Sequence, residues 1–192
     1  MKKVLFTLLC LALIGCSTTQ VQMQHKSYRG ERADNPIIAI GQFSDYRKHD
    51  ANWLGAIRGG YGNPLKTLET PKPVKDIVRD AFQDGLRQRG ILASADDAKY
   101  VLSVDVQQYD CNQYVRKESH IKLDIKVVDI KNNQQVFSDR IAIDNVEGSI
   151  LSMKTGVFGS VEELKNLAEK TLAQAVDGAL DSPGFTRLYK TQ

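Results

Sequence analysis

The fold is set by an alternating stretch in the middle of the chain, YVLSVDVQQYD at residues 100–110. Apolar side chains occupy every second position, and Ser103, Asp105 and Gln107 stand between them. Residues two apart share one face of a strand, so the stretch predicts a β-strand with one buried face and one wet face. Such strands are typical of an antiparallel sheet whose buried face is covered by another layer.

Three more stretches predict further strands of this sheet. HIKLDIKVVDI at residues 120–130 and QVFSDRIAI at residues 135–143 both suit a strand, and Asn132-Asn133 between them can form a tight hairpin turn. PIIAIGQFSD at residues 36–45 is rich in β-branched residues and opens on a proline, which a strand start allows. In HIKLDIKVVDI the predicted core positions are Ile121, Leu123, Ile125 and Val127, with Lys122 facing water.

Two amphipathic helices are predicted to cover the buried face. TPKPVKDIVRDAFQDGLRQRG at residues 70–90 carries apolar residues at helical spacing, and its charged residues, Arg89 among them, are predicted to be solvated. A second helix begins at Ser160, where Ser160 and Glu163 have the spacing of a capping box, and ends before Pro183.

The order of elements predicts an α+β fold: a mostly antiparallel sheet of four to five strands with two helices packed on one face. Residues 36–192 form the single predicted domain. Residues 16–35 are polar and lack periodicity, which predicts a flexible tether.

A long segment, residues 46–72, separates the first strand from the first helix. A connection of this length is either functional or contains a short element, and LKTLET at residues 65–70 is a candidate edge strand. Aromatic and arginine side chains are frequent anchors of protein interfaces, so we predict that this loop docks onto a partner or a neighbouring copy. The alternative is that Trp53 only covers the open edge of the sheet. The candidate residues are Tyr46, Trp53, Arg58 and Tyr61.

No catalytic constellation is visible in the sequence. The three histidines are scattered, and no HExxH, CxxC or GxSxG motif occurs. RGGYGN at residues 58–63 lacks the lysine of a phosphate-binding loop, so its glycines indicate flexibility. We therefore predict no catalytic residues, no metal, no cofactor and no enzymatic activity. The absence of a clustered basic stretch also argues against nucleic acid as a partner.

The N-terminal stretch VLFTLLCLALIGCSTTQ, residues 4–20, predicts export. Its apolar run follows two lysines and is shorter than the roughly 20 residues of a membrane-spanning helix, as in a secretory signal. Leu13-Ile14-Gly15-Cys16 resembles the lipobox of bacterial lipoproteins. The resemblance implies a signal peptide over residues 1–15, and lipid, palmitate included, on Cys16. The alternative is a chance cysteine in a plain signal peptide.

Two further expectations depend on this anchor. Ser17, where some lipoproteins carry Asp, implies by resemblance to enterobacterial lipoproteins an outer-membrane location with the domain in the periplasm. Cys111 would then be unpaired in an oxidising compartment, and we interpret it as a partly buried, inert thiol. An intermolecular disulfide is the alternative.

Several segments together resemble the YajG-like family of small bacterial lipoproteins. They are VKDIVRDAFQDGLRQRG, the NVEG at residues 145–148 and the closing amphipathic helix, and the resemblance spans residues 36–182. It implies an outer-membrane lipoprotein of α+β fold and supplies no biochemical activity. The order of elements is also similar to that of periplasmic adaptor domains of envelope machines.

Two functions follow from these patterns. The first is a non-enzymatic binding or scaffolding lipoprotein in an envelope assembly such as a secretion or transport machine, with an envelope protein or a second copy as partner. The alternative is a protein that binds or hydrolyses cell-wall or lipid material, with the 46–72 loop as its lip. That alternative requires a pocket lined by titratable groups.

We predict that Cys16 is the first residue of the mature protein and carries lipid. Cys16→Ala should release the protein from membranes and remove the lipid mass, whereas Cys10→Ala should change neither, since residue 10 is cut away. Membrane fractionation and mass spectrometry of the intact protein measure both. Unchanged membrane retention of Cys16→Ala, with no added mass on the native protein, would refute the anchor.

Overall fold

The computed structural model describes residues 17–24, 32–148 and 160–190. The predicted signal peptide and Cys16 lie outside these residues. The described strands are β1 (Ser17–Gln20), β2 (Ile38–Asp45), β3 (Trp53–Arg58), β4 (Pro64–Glu69), β5 (Tyr100–Gln113), β6 (Lys117–Asp129) and β7 (Gln134–Glu147). The described helices are α1 (Val74–Gln88), α2 (Val161–Leu180) and α3 (Pro183–Thr186).

The predicted sheet of four to five mostly antiparallel strands is wrong. The described part of the chain contains seven strands in one mixed sheet, in the order β1-β4-β3-β5-β6-β7 with β2 also paired to β5. The pairs β1–β4, β2–β5 and β3–β5 are parallel. The prediction missed the short strands because only long strands carry a legible alternation, and it missed the parallel pairs because chain order does not reveal them.

Strand β5 is the centre of the sheet. On one side it pairs antiparallel with β6 along its whole length. Its other side is shared, because β2 runs parallel to Tyr100–Val106 and β3 runs parallel to Cys111–Gln113. The segment 46–52 between β2 and β3 therefore leaves the sheet edge and returns to it.

The alternation of the long strands faces as predicted. In β6 the side chain of Leu123 is fully buried, whereas Lys122 is exposed. Helix α1 packs on β2 and β5, helix α2 packs on β5, β6 and β7, and the two helices contact each other. The Ser160 hydroxyl accepts the Glu163 backbone N–H at 3.3 Å, which confirms the predicted N-terminal cap of α2.

The tether prediction is wrong for residues 17–24. Ser17–Gln20 forms β1, parallel to β4, and Val21 after it is buried. The Gln24 backbone N–H then donates to the Glu169 carboxylate at 2.7 Å. A polar segment with two threonines can form a strand without a hydrophobic pattern when the open edge of β4 offers backbone partners.

The prediction that Arg89 is solvated is also wrong. Its side chain is 1% exposed, and its guanidinium donates to both oxygens of Asp181, at 2.9 and 2.8 Å, and to Asp177 at 2.9 Å. Burial alone would lower the pKa of Arg89, but the hydrogen bonds to Asp181 and Asp177 raise it above the ordinary value. These bonds join the end of α1 to the end of α2, so Arg89 has a structural role.

The stability of the core should depend far more on Leu123 than on Lys122, which faces solvent on the same strand. Leu123→Ala should lower the free energy of unfolding by about 2–5 kcal/mol because it leaves a cavity between sheet and helix. Lys122→Ala should cost less than about 0.5 kcal/mol. Urea denaturation measures both, and equal losses would contradict the observed facing of β6.

Candidate functional site

The predicted interaction loop, residues 46–72, contains the hairpin β3–β4. The strand expected at residues 65–70 is present as β4, but it lies between β1 and β3 and is not an edge strand. The hairpin separates the four candidate residues into two groups. Residues 46–52 connect β2 to β3, and we call this connection the excursion. Tyr46 is its first residue and Trp53 follows it directly, whereas the other two candidates lie where the hairpin turns.

The excursion at residues 46–52 is fixed by the buried guanidinium of Arg47. This group pairs with the Asp45 carboxylate at 2.8 Å, and its side chain is 2% exposed. It also donates to the backbone carbonyls of Trp53 at 2.7 Å, Ala51 at 3.1 Å and Tyr109 at 3.2 Å. A buried arginine that satisfies three carbonyls stabilises the chain path, so this half of the loop is part of the fold.

Trp53 and Tyr46 differ in their surroundings. Trp53 is partly buried, and its ring stacks on that of His49 with centroids 3.9 Å apart. Tyr46 is 60% exposed, and its backbone N–H donates to Val106 of β5. Trp53 is therefore partly enclosed by its stack on His49, whereas Tyr46 is left accessible.

The other two candidates lie beside a second turn. Parallel pairing of β3 with β5 brings the β3–β4 turn next to the β5–β6 turn at residues 114–116. The Tyr114 hydroxyl donates to the Gly60 carbonyl at 2.7 Å, which joins the two turns. We call the exposed apolar residues of this end the hairpin-tip surface. They are Tyr61 (100% exposed), Leu65 (39%), Tyr114 (45%) and Val115 (40%).

A cleft of about 420 Å³ lies at the hairpin-tip surface. Arg58 lines it and donates to the Gly62 carbonyl at 3.2 Å. Arg116 lines it too and pairs with Glu118 at 3.2 Å. Two guanidinium groups and one carboxylate favour the binding of an anion over acid–base chemistry, which needs a proton donor and acceptor facing a substrate.

Sequence reasoning missed Tyr114, Val115 and Arg116. The available signal was an aromatic and a β-branched residue between two alternating strands, where a turn ordinarily carries polar residues. Their proximity to Tyr61 has no sequence signal, because it depends on the parallel pairing of β3 with β5.

The pairing of β3 with β5 depends on Gly55. A Cβ atom at this position would lie 1.7 Å from the Cys111 carbonyl oxygen. No side chain can occupy that space, so glycine alone lets the two backbones meet and sets the two turns side by side. Cys111 itself is fully buried, and burial raises the pKa of its thiol. This agrees with an inert cysteine and leaves no accessible sulfur for an intermolecular disulfide.

The opposite edge of the sheet is β7. Among the described strands it pairs only with β6. On its outer face Arg140 bonds the Asp124 carboxylate at 2.5 and 3.0 Å, and Asp144 lies 2.6 Å from a His120 ring nitrogen. The hydrogen bonds from Arg140 hold the pKa of Asp124 below its ordinary value.

Metal-binding clusters and membrane-spanning helices are both absent from the described residues. Within them, no group of three or more His, Cys, Asp or Glu side chains could hold a metal ion. No helix in the described ranges is long and apolar enough to cross a membrane.

Gly55→Ala should destabilise the protein strongly, by about 3 kcal/mol or more, because the new methyl group overlaps the β5 backbone. Gly60→Ala is the matched control in the adjacent turn, where an added Cβ would have nothing within 4 Å. It should leave stability unchanged or raise it by up to about 1 kcal/mol. Thermal denaturation of both variants tests this, and a Gly55→Ala variant as stable as the wild type would contradict the close approach of β3 to β5.

No protein-family model matches the chain, and no curated protein matches it. Solved structures of other proteins do match it. A DUF330 protein from Xanthomonas campestris superposes with a TM-score of 0.63 at 14% identity, over 90% of this chain and 96% of that one. An uncharacterized protein superposes with a TM-score of 0.55 at 8% identity, over 87% and 98%.

A putative lipoprotein from Caulobacter crescentus is 20% identical, with a TM-score of 0.44 over 61% of this chain and 84% of that one. The resemblance to the YajG-like family stays a sequence-based prediction. At these identities the likenesses concern the fold, and the chain is similar in fold to the Xanthomonas DUF330 protein.

Proposed function

We propose that the protein is a lipid-anchored, non-enzymatic binding module of the outer membrane, and that it holds an extended segment of an envelope protein along strand β7. The observation that carries this proposal is the length and openness of β7. It runs for 14 residues, and among the described strands only β6 pairs with it. An edge strand presents unpaired N–H and C=O groups that an extended segment can bind.

The side chains of β7 also leave room for another strand. Ile141 and Ile143 face the core but are only partly buried, whereas their partners on β6, Leu123 and Ile121, are fully buried. A strand added beside β7 would complete the cover of these two isoleucines. Apolar burial of this kind stabilises an added strand beyond its backbone hydrogen bonds.

The outer face of β7 makes the edge selective. Arg140 is held by an ion pair to Asp124 of β6, Asp144 contacts the His120 ring of β6, and the small residue Ala142 lies between them. Charged side chains oppose indiscriminate pairing of edge strands. A partner with a complementary charge pattern is accepted, because opposite charges across neighbouring strands stabilise the pair.

The alternative of a ligand-binding protein or hydrolase has less support. Of the 46–72 loop proposed as its lip, residues 46–52 are fixed by Arg47, and Trp53 after them is stacked against His49. Among the described residues that line the cleft at the hairpin-tip surface, only Glu118 has a carboxylate, and it pairs with Arg116. Hydrolysis by general acid–base catalysis ordinarily requires a second titratable group in reach of the substrate.

Lipid anchoring and the outer-membrane location rest on the lipobox-like Leu13-Ile14-Gly15-Cys16 and on Ser17 after it. An acylated cysteine with more than one chain anchors a protein stably, because each buried CH₂ contributes about 0.8 kcal/mol. The partner is then a protein that reaches the same membrane surface.

Site-specific photo-crosslinking in intact cells tests the β7 edge. A photoreactive residue replaces Ser138, Ala142 or Val146, which are exposed on β7, and the control replaces the exposed Arg79 of α1. We expect the same adduct at all three β7 positions and none at Arg79. An adduct of twice the mass of the chain would assign the edge to a second copy. An adduct at Arg79 alone, or no adduct along β7, would contradict the proposal.

A further inference from the structure

We infer that the hairpin-tip surface rests on the lipid surface to which the chain is anchored, so that the domain is held in one orientation. This inference rests on the proposed lipid at Cys16 and goes beyond it, because an anchor alone leaves a domain free to turn.

The chain enters the sheet at the hairpin tips. Ser17 is paired with Lys66 near the start of β4, a few residues after the β3–β4 turn. In the sequence Ser17 is bonded directly to Cys16. Because β1 and β4 run in parallel, the first residues of both strands lie at this same end of the sheet. Acyl chains on Cys16 would therefore enter the membrane beside the hairpin-tip surface.

The strand that follows the anchor is held firmly. Three residues after Ser17, Gln20 is still in register with Glu69 of β4. The Val21 backbone N–H donates to the Glu69 carbonyl at 2.8 Å, and the Val21 side chain is buried. One peptide bond separates two α-carbons by about 3.8 Å, so the anchor gives the domain very little freedom. A domain tied this closely to a bilayer must present some surface to it.

The surface at this end suits a membrane interface. The described residues include eight large exposed apolar side chains, and four of them form the hairpin-tip surface. Two of the four are tyrosines, whose ring and hydroxyl favour the boundary between acyl chains and headgroups. The hydrogen bond from Tyr114 to Gly60 joins the two turns, so they would insert as one unit.

Basic side chains surround these apolar residues. Lys66 is exposed beside β1, and the guanidinium groups of Arg58 and Arg116 line the cleft. Phosphate groups of lipids are natural partners of such groups, because a guanidinium binds phosphate oxygens in a bidentate way. Arg58 and Lys66 can thus contact the phosphates of an anionic lipid surface, whereas Arg116 is already paired with Glu118.

The opposite end of the sheet has a different character. There the β6–β7 turn carries Lys131, Asn132 and Asn133, and the segment before β5 carries the acidic pair Asp96 and Asp97. Ile130 and Val136 are exposed there too, so this end carries two of the eight large exposed apolar side chains, against four at the hairpin-tip end, and neither of the two is a tyrosine. The hairpin-tip end is therefore the better suited of the two to contact with lipid.

Tryptophan placed at the hairpin-tip surface reports contact with lipid. The background variant is Trp53→Phe, which removes the chain's one Trp. The probe is Tyr61→Trp, and the matched control is Tyr46→Trp, also at an exposed tyrosine. The Tyr46 backbone N–H donates to the carbonyl of Val106 in β5. Val106 lies about 20 Å from Gln113, the residue at which β5 ends near the hairpin tips. The lipidated protein is reconstituted into vesicles of phosphatidylethanolamine and phosphatidylglycerol with brominated acyl chains.

We expect brominated lipid to quench the emission of Tyr61→Trp and leave that of Tyr46→Trp unchanged. Equal quenching of the two variants, or none at position 61, in protein that floats with the vesicles would overturn the docked orientation and leave the anchor intact. Protein that does not float with the vesicles would overturn the anchor and the docking together. Melting temperatures equal to that of the Trp53→Phe background ensure that both variants are folded.

Discussion

The structure depends on one edge of β5, which two strands, β2 and β3, share. One side of β5 accepts β2 and then β3 in parallel, and the chain between them must leave the sheet and return. Gly55 allows the close approach of β3, and the Arg47 guanidinium binds the carbonyls exposed at the break. Without these two residues the β3–β4 hairpin would lose its place, and β1 would lose the edge on which it pairs.

This shared edge also determines where the functional surfaces lie. Because β3 is in register with the end of β5, the two turns form the hairpin-tip surface, and β1 begins beside it. On the other side of β5, β6 separates these elements from β7, which remains the open edge. The proposed lipid contact and the proposed partner strand therefore use different parts of one rigid sheet, and neither obstructs the other.

The sequence predicted those parts of the fold whose pattern is local. The alternation around Leu123 and the cap at Ser160 depend on nearby residues, and both are confirmed. Strand β1 could not be predicted, because its pairing is provided by β4 and not by its own apolar residues. The burial of Arg89 was equally hidden, since its carboxylate partner Asp181 lies 92 residues further along the chain. For the candidate site the sequence identified Tyr61 and Arg58 but not Tyr114, which only the sheet topology brings to them.

The two proposals constrain each other through the direction of the strands. β7 ends at Glu147, which pairs with Lys117 beside the hairpin tips, and begins at Gln134 at the far end of the sheet. With the hairpin-tip surface on the membrane, this edge would rise from the lipid into the periplasm. A strand of 14 residues extends about 46 Å at 3.3 Å per residue. A partner segment bound along it would run away from the membrane, so the partner needs an extended segment that begins close to the lipid surface.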